Sequence, residues 1–181
     1  MQEIIIQKLK VEDMSFIGMF AKQKEAEQIK KEIEKETKEI KIEIIPINLK
    51  SIENIKNIKF DIVIMIDDLE KLKGKEKYIK EILNNSKYLI LNSDINSDIK
   101  ILKEVTAKTI TYGLNQKATI TASSIGEEEI IICIQRAFKN INDKIIEQKE
   151  VRRKIEKNNI KNIYNSLIKE TIINIYSAKN R

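Results

Sequence analysis

Two adjacent carboxylates, Asp67 and Asp68, follow the apolar run at residues 60–66 and are the most obvious candidates for chemistry. Carboxylates at the end of a parallel strand can bind a metal ion, because ligands of open α/β sheets bind outside the carboxyl ends of the strands. Adjacent side chains point in different directions, however, and the helix dipole favours acidic residues at a helix start. We therefore expect this pair to begin a helix, and we expect no metal site.

The chain has no histidine and a single cysteine, Cys133. The lack of histidine removes the usual general base near neutral pH, the Ser-His and Cys-His nucleophile pairs and the commonest zinc ligand. A lone cysteine cannot form an internal disulfide or a multi-thiolate zinc site, and its place in the apolar run at residues 130–134 indicates a buried small hydrophobe. We expect no catalytic residues and no cofactor.

The net charge of +6 raises the question of a nucleic-acid partner, because clustered cations neutralise phosphates. Between residues 22 and 41 the lysines alternate with glutamates, which is typical of a solvated helix with ion pairs four residues apart. The compact basic run at residues 152–154 is flanked by Glu150 and Glu156. We therefore expect no nucleic-acid partner.

Hydropathy gives no sign of a membrane segment, because no apolar stretch approaches about 18 residues. The first ten residues contain Glu3, Lys8 and Lys10 around a short isoleucine run and lack the apolar core of a signal peptide. We expect a cytoplasmic protein with no membrane partner.

The elements that position these residues follow an alternating pattern as far as residue 113. Short apolar runs, of which the one at 40–47 is rich in isoleucine, predict strands at residues 15–20, 40–47, 60–66, 87–91 and 108–112. Helical spacing of apolar residues predicts helices at residues 22–38, 69–83 and 97–105, and residues 51–58 are expected to form a short helix or a turn. This alternation implies parallel pairing through right-handed crossovers, so we predict an α/β fold with a Rossmann-like, mostly parallel sheet flanked by helices.

The second part of the chain has strands separated by turns rather than helices. Segments 118–125, 129–138 and 144–151 predict an antiparallel β meander at the edge of the sheet. A final helix at residues 159–178 has a wide apolar stripe, which we expect to pack on the sheet; the alternative is a partner surface. We expect a single domain, 1–181, with an α/β core (1–117), the meander (118–153) and a C-terminal helix (157–178).

Four local motifs resemble, in the same order, motifs of the central ATP-binding domain of the Mur ligase family. They are Asp67-Asp68-Leu69-Glu70 with Gly74 and Tyr78 after it, Leu91-Asn92-Ser93-Asp94, Tyr112-Gly113, and Asn162-Ile163-Tyr164-Asn165-Ser166-Leu167. The family counterparts are an Asp-His-Leu-Asp strand end, an Asn-Ala-Asp-Asp turn, a Tyr/Phe-Gly pair and an Asn-Val-Tyr-Asn-Ala-Leu helix start. The resemblance covers residues 60–175 and implies the family's central-domain fold.

The chain departs from the family where the chemistry takes place. Family members hold ATP phosphates in a glycine-rich loop after the first strand, with a Lys and a Ser or Thr. The corresponding residues, 18–24, read Gly-Met-Phe-Ala-Lys-Gln-Lys, with one glycine and no Ser or Thr. The family histidine is replaced by Asp68, and the chain has no match to the domains that carry the uridine nucleotide and the incoming amino acid.

We therefore expect a non-catalytic Mur-ligase-like protein that acts through a protein partner or as a homo-oligomer, as a scaffold or regulator linked to cell-wall metabolism. The alternative is a weak nucleotide- or uridine-sugar-binding module that retains the adenine end of the ancestral site. The resemblance implies cofactor-binding positions at Asn92, Asp94, Asn162 and Asn165. Asn and Asp are also the residues that turns and helix starts select, so a structural role for these four stays open.

Overall fold

The computed structural model of the chain describes residues 14–36, 41–66, 74–96 and 103–177. Within these ranges it contains ten strands and four helices. The strands are β1 (Ser15–Phe20), β2 (Ile42–Pro46), β3 (Ile62–Met65), β4 (Tyr88–Asn92), β5 (Lys108–Tyr112), β6 (Ile120–Ile125), β7 (Glu129–Ile134), β8 (Phe138–Lys139), β9 (Ile145–Ile146) and β10 (Lys149–Lys154). The helices are α1 (Gln23–Glu36), α2 (Ile52–Ile55), α3 (Glu76–Asn84) and α4 (Ile160–Tyr176).

Eight strands form one sheet in the order β10-β7-β6-β5-β4-β3-β1-β2. The five strands from β5 to β2 are parallel, which confirms the predicted parallel core with β3 at its centre. The chain moves outward from β1 to β2 and then returns to the other side of β1 to form β3. This reversal is the topological switch point of a doubly wound sheet, and the carboxyl ends of the strands there are where ligands of such folds bind.

Nearly continuous apolar runs explain why the central strands form. All residues of β3 and β4 are buried, as expected for strands that helices cover on both faces. One face packs against α1 and α4, and the other against α2 and α3. The sheet is therefore the middle layer of three.

The predicted antiparallel meander is confirmed, but two of its strands are broken. β6, β7 and β10 pair antiparallel, and β6 joins the parallel part through one pair, Tyr112 with Ile120. The predicted strand at 129–138 ends at Ile134, and the one predicted at 144–151 is divided into β9 and β10.

A separate two-stranded hairpin, β8–β9, occupies the gap between the broken strands. The Asn140 side chain holds its turn by accepting from the backbone N–H groups of Asn142 and Lys144, both at 2.9 Å. The hairpin then bonds to the end of α4, through Ile141 N to the Ile175 carbonyl at 3.0 Å. These contacts draw the chain away from the main sheet, which explains the breaks.

The C-terminal helix docks on its own sheet, as predicted. Its buried apolar residues are Ile163, Leu167, Ile168, Ile172 and Ile175. They face β5, β6 and β7, and the helix also lies against α1. None of the helices in the described ranges is long and apolar enough to cross a membrane.

Some predictions fall on residues outside the described ranges. They include the Asp67-Asp68 pair, the first part of the helix at 69–83 and residues 97–102 of the helix at 97–105, together with the end residues 37–38, 40 and 178 of three other predicted elements. The rest of these two helices is described: α3 begins at Glu76, and a short 3₁₀ turn lies at residues 103–104.

Candidate functional site

The connection between β1 and α1 lies at the switch point, where the resemblance places the phosphate loop. β1 ends at Phe20 and α1 begins at Gln23, so only Ala21 and Lys22 connect them. The single glycine of this region, Gly18, lies inside β1 rather than in the connection. A Cβ atom at Gly18 would lie 2.8 Å from Ile47 Cδ1 and 3.1 Å from the Phe60 ring, so this glycine is closely packed in the core.

The first turn of α1 carries its own carboxylate. Glu25 Oε2 accepts from the Lys22 backbone N–H at 3.4 Å, and Glu25 Oε1 pairs with Lys161 Nζ of α4 at 3.4 Å. A carboxylate at a helix N-terminus interacts favourably with the helix dipole and with the free N–H groups there, as a bound phosphate would. Glu25 therefore supplies the negative charge at the place where a nucleotide-binding fold holds phosphates.

Asp94, just after β4, is the centre of a hydrogen-bonded cluster that joins three elements. Its Oδ2 accepts from the Leu114 backbone N–H at 2.6 Å and from the Tyr164 hydroxyl at 2.9 Å. Its Oδ1 accepts from Asn115, through the backbone N–H at 3.1 Å and Nδ2 at 2.6 Å. A carboxylate has about four acceptor sites, so these four donors use its full capacity.

The glycine after β5 makes this cluster possible. A Cβ atom at Gly113 would lie 2.8 Å from Asp94 Oδ1 and 2.8 Å from Ser93 Oγ. Any other residue would displace the Asp94 and Ser93 side chains from these positions. The Tyr112-Gly113 pair is therefore explained by the close approach of Asp94.

Hydrogen bonding also sets the protonation of the cluster. Partial desolvation raises the pKa of Asp94, but the bonds from Leu114, Asn115 and Tyr164 outweigh it, so its pKa lies below the ordinary value. Burial, and then the bond to the Asp94 carboxylate, raise the pKa of Tyr164. Asp94 is thus a charged acceptor and Tyr164 a neutral donor at neutral pH. The Tyr164 ring also contacts Tyr112 edge to face, with centroids 5.9 Å apart.

Asn92 lies beneath this cluster with no exposed surface. Its Oδ1 accepts from the Asp94 backbone N–H at 2.9 Å, the geometry of an Asx turn. Its Nδ2 is buried and has no hydrogen-bond partner within the described part of the chain. Asn92 therefore shapes the turn after β4, and its side chain lies close enough to the Tyr164 hydroxyl to oppose the rise in the pKa of that group.

The structure separates the predicted residue Asn162 from this cluster. Asn162 donates through its backbone N–H to the Oδ1 of the cap residue Asn159, and through Nδ2 to the Lys157 carbonyl. It lines a cavity of about 190 Å³ between α1 and α4. Asn162 lies two residues before Tyr164, so the two side chains leave opposite sides of α4. Asn165 is buried on the same helix.

The predicted set therefore divides in two: Asn92 and Asp94 lie together, whereas Asn162 serves the start of α4. Sequence reasoning left Asn115 and Glu25 out of the site and did not give Tyr164 a role. The signal for Asn115 was its position just after the Tyr112-Gly113 pair. Nothing marked Glu25 as a cap, because a lysine rather than Ser or Thr precedes the helix.

Cys133 was predicted to be buried and is instead half-buried. It lies on the face of β7 opposite the buried Ile132 and Ile134, because side chains alternate along a strand. Burial, and then the nearby charge of Glu150, raise the pKa of its thiol, so the thiolate is disfavoured at neutral pH. Across the described ranges no group of three or more His, Cys, Asp or Glu residues has the arrangement of a metal site.

No protein-family model matches the chain, and the comparison with curated proteins finds no significant match. The resemblance to the Mur ligase family therefore stays a prediction that rests on the four motifs.

Proposed function

We propose that this protein is non-catalytic and acts by binding another protein, as a scaffold or regulator built on a nucleotide-binding type of fold. The observation that carries the proposal is the first turn of α1. A two-residue connection leaves no loop to surround phosphates, and the Glu25 carboxylate lies where their charge would be. Phosphoryl transfer depends on a positive, preorganised site, and a carboxylate there opposes it.

The Asp94 cluster supports the same proposal. The carboxylate is exposed, yet its acceptor sites are used by Leu114, Asn115 and Tyr164. A ligand would have to break one of these bonds to gain its own. In our proposal the cluster holds the loops after β4 and β5 against α4.

The surface around the cluster suits a protein better than a phosphate. Ile95 and Leu114 are large apolar residues, 45% and 39% exposed, in the loops after β4 and β5. Apolar side chains at the rim of a carboxyl edge gain free energy when another protein covers them. A link of that partner to cell-wall metabolism is implied by the Mur ligase resemblance alone.

Calorimetric titration with Mg²⁺-ATP tests this proposal. We expect no binding tighter than about 1 mM and no phosphate release above that of buffer. Micromolar affinity that is lost in Lys22→Ala or Lys24→Ala would contradict the proposal, because it would show that the β1–α1 connection does bind phosphates. Glu53→Ala, on a surface away from the connection, serves as the control variant.

One observation favours the second candidate, a weak nucleotide- or uridine-sugar-binding module. The unused Asn92 Nδ2 is a buried donor next to Asp94, and an unpaired buried donor is a feature of some binding sites. A thermal-shift series with nucleotides and uridine-linked sugars tests this candidate. A ligand at about 100 times its Kd stabilises a protein by about 2.7 kcal/mol. A rise in Tm that is absent in Asn92→Asp would support the binding module.

A further inference from the structure

β10 is the terminal strand of the sheet on the meander side. All six of its residues, Lys149–Lys154, pair with β7 on one side, and no described strand pairs with it on the other. Lys149, Glu150, Arg152 and Lys154 are exposed. An edge strand of this length presents a row of unpaired N–H and C=O groups that another strand can bind.

The register of β10 on β7 shows which backbone groups are free. The Ile155 N–H donates to the Glu128 carbonyl at 2.9 Å, so Ile155 belongs to a hydrogen-bonded pair. Hydrogen-bonded and non-bonded pairs alternate along antiparallel strands. The odd-numbered residues of β10 therefore face β7, and Glu150, Arg152 and Lys154 direct their N–H and C=O groups away from the sheet.

We propose that this edge pairs antiparallel with β10 of a second copy of the chain, about a twofold axis at Val151. In this register Glu150 of each copy lies directly opposite Arg152 of the other, and both pairs are hydrogen-bonded. Unlike charges in directly opposed positions stabilise an antiparallel pair. A shift of two residues in one direction would place Glu150 against Glu150, which the charges exclude. The opposite shift would place Arg152 against Arg152 and Glu150 against Lys154, and this register is the competitor that the variants below distinguish from the proposed one.

The residues around the axis fit this arrangement. Arg152 contacts Glu129 of its own chain at 3.2 Å on the open face of the meander, so in the dimer its guanidinium is shared between Glu129 and Glu150 of the second copy. On the other face the register brings Lys149 opposite Arg153 of the second copy. That repulsion is reduced because Arg153 is already paired with Glu170 at 2.7 Å.

The same charges protect the edge from other strands. Charged residues on an edge strand prevent uncontrolled sheet extension, since a neutral or mismatched strand leaves them unpaired. A second copy in the proposed register pairs Glu150 and Arg152 of each chain with Arg152 and Glu150 of the other. A contact limited to one strand pair is small, so the dimer belongs to the weak, concentration-dependent class. The dimer proposal is independent of whether the protein is catalytic.

Sedimentation velocity of the full chain, from about 10 µM to about 1 mM, tests the dimer. The wild type is expected to shift from monomer to dimer across this range. Glu150→Arg and Arg152→Glu each replace two attractive pairs with two repulsive ones, so each should raise the dimer Kd by about tenfold or more. The double variant E150R/R152E restores opposite charges and should recover most of the wild-type affinity.

Two further variants separate strand pairing from a general charge effect. Glu150→Pro removes an outward N–H and keeps the bonds to β7, so it should abolish the dimer while the fold is retained by circular dichroism. Glu156→Arg makes the same change of charge outside β10 and should leave the Kd unchanged. A wild type that stays monomeric at about 1 mM, or a dimer that survives both E150P and E150R, would overturn the proposal.

Discussion

A chain that ends after Lys157 is expected to be unfolded or insoluble. The deletion removes α4, whose five apolar core residues are each 5% exposed or less. Burial of each such side chain contributes about 1.5–3 kcal/mol, and the sum is comparable with the whole stability of a typical domain, about 5–15 kcal/mol. The deletion also uncovers the inner faces of β5, β6 and β7. Far-UV circular dichroism and thermal unfolding of the truncated chain measure the effect.

Two point variants in the full chain distinguish loss of packing from loss of chain length. Ile168 is fully buried and Ile160 is 53% exposed on the same helix. Ile168→Ala should cost about 2–5 kcal/mol because it leaves a cavity, whereas Ile160→Ala should cost less than about 0.5 kcal/mol. A truncated chain that is soluble and unfolds cooperatively would show that α4 is an accessory helix and not part of the core.

Arg153→Met is expected to destabilise the protein by about 3 kcal/mol, because it leaves a buried carboxylate without its partner. The Glu170 side chain is 2% exposed, and its Oε2 accepts from Arg153 Nε at 2.7 Å. Asn174 Nδ2 donates to Oε1 of the same carboxylate at 2.7 Å and cannot replace the lost charge. Chemical denaturation of the monomer at low protein concentration measures the loss.

The neighbouring residue provides a matched control. Arg152 pairs with Glu129, but the two side chains are 69% and 50% exposed. Arg152→Met should therefore cost at most about 1 kcal/mol, as exposed ion pairs do. The double variant R153M/E170M removes both buried charges and should recover most of the stability. Equal losses for R152M and R153M would show that burial does not set the strength of these pairs.

The parallel core could be predicted from the sequence because its signals are local. Short apolar runs marked β3, β4 and β5 to within about two residues, and the apolar stripe marked α4. The change from helices to turns after residue 117 identified the meander. In each case hydrophobic spacing within one segment carries the information.

The broken strands could not be predicted, because their cause lies far away in the sequence. The β8–β9 hairpin leaves the sheet to bond with α4, including Asn140 Nδ2 to the Ser177 carbonyl at 2.9 Å, 37 residues away. The hydropathy pattern of residues 129–138 does not indicate that contact.

The same limit applied to the candidate site. Asp94 could be selected by its resemblance to a family turn, but its partners Leu114 and Tyr164 lie 20 and 70 residues further along the chain. An aspartate that accepts four internal bonds and an aspartate that binds a ligand have the same local sequence. Only the assembled loops after β4 and β5 distinguish the two.

The unfolding free energy of Asp94→Asn, with and without Mg²⁺-ATP, tests most directly whether this cluster is a structural clamp. Asparagine keeps the shape of the side chain, but an NH₂ group replaces one carboxylate oxygen. That oxygen accepts two hydrogen bonds in the wild type, and the NH₂ group can only donate. Because Asp94 is exposed, we expect a loss of about 1–2 kcal/mol at neutral pH. The measurement is chemical denaturation of wild type and variant between about pH 7 and pH 3.

The pH dependence follows from the lowered pKa of Asp94. A carboxyl whose pKa is lowered by folding stabilises the protein above its unfolded value, about 3.9, and that contribution is lost as the pH falls through the folded value. We therefore predict a constant difference between wild type and variant near neutral pH, a decrease below about pH 4, and no effect of ATP on either protein. A variant as stable as wild type, together with ATP stabilisation that only the wild type shows, would contradict the clamp and identify Asp94 as a ligand-binding residue.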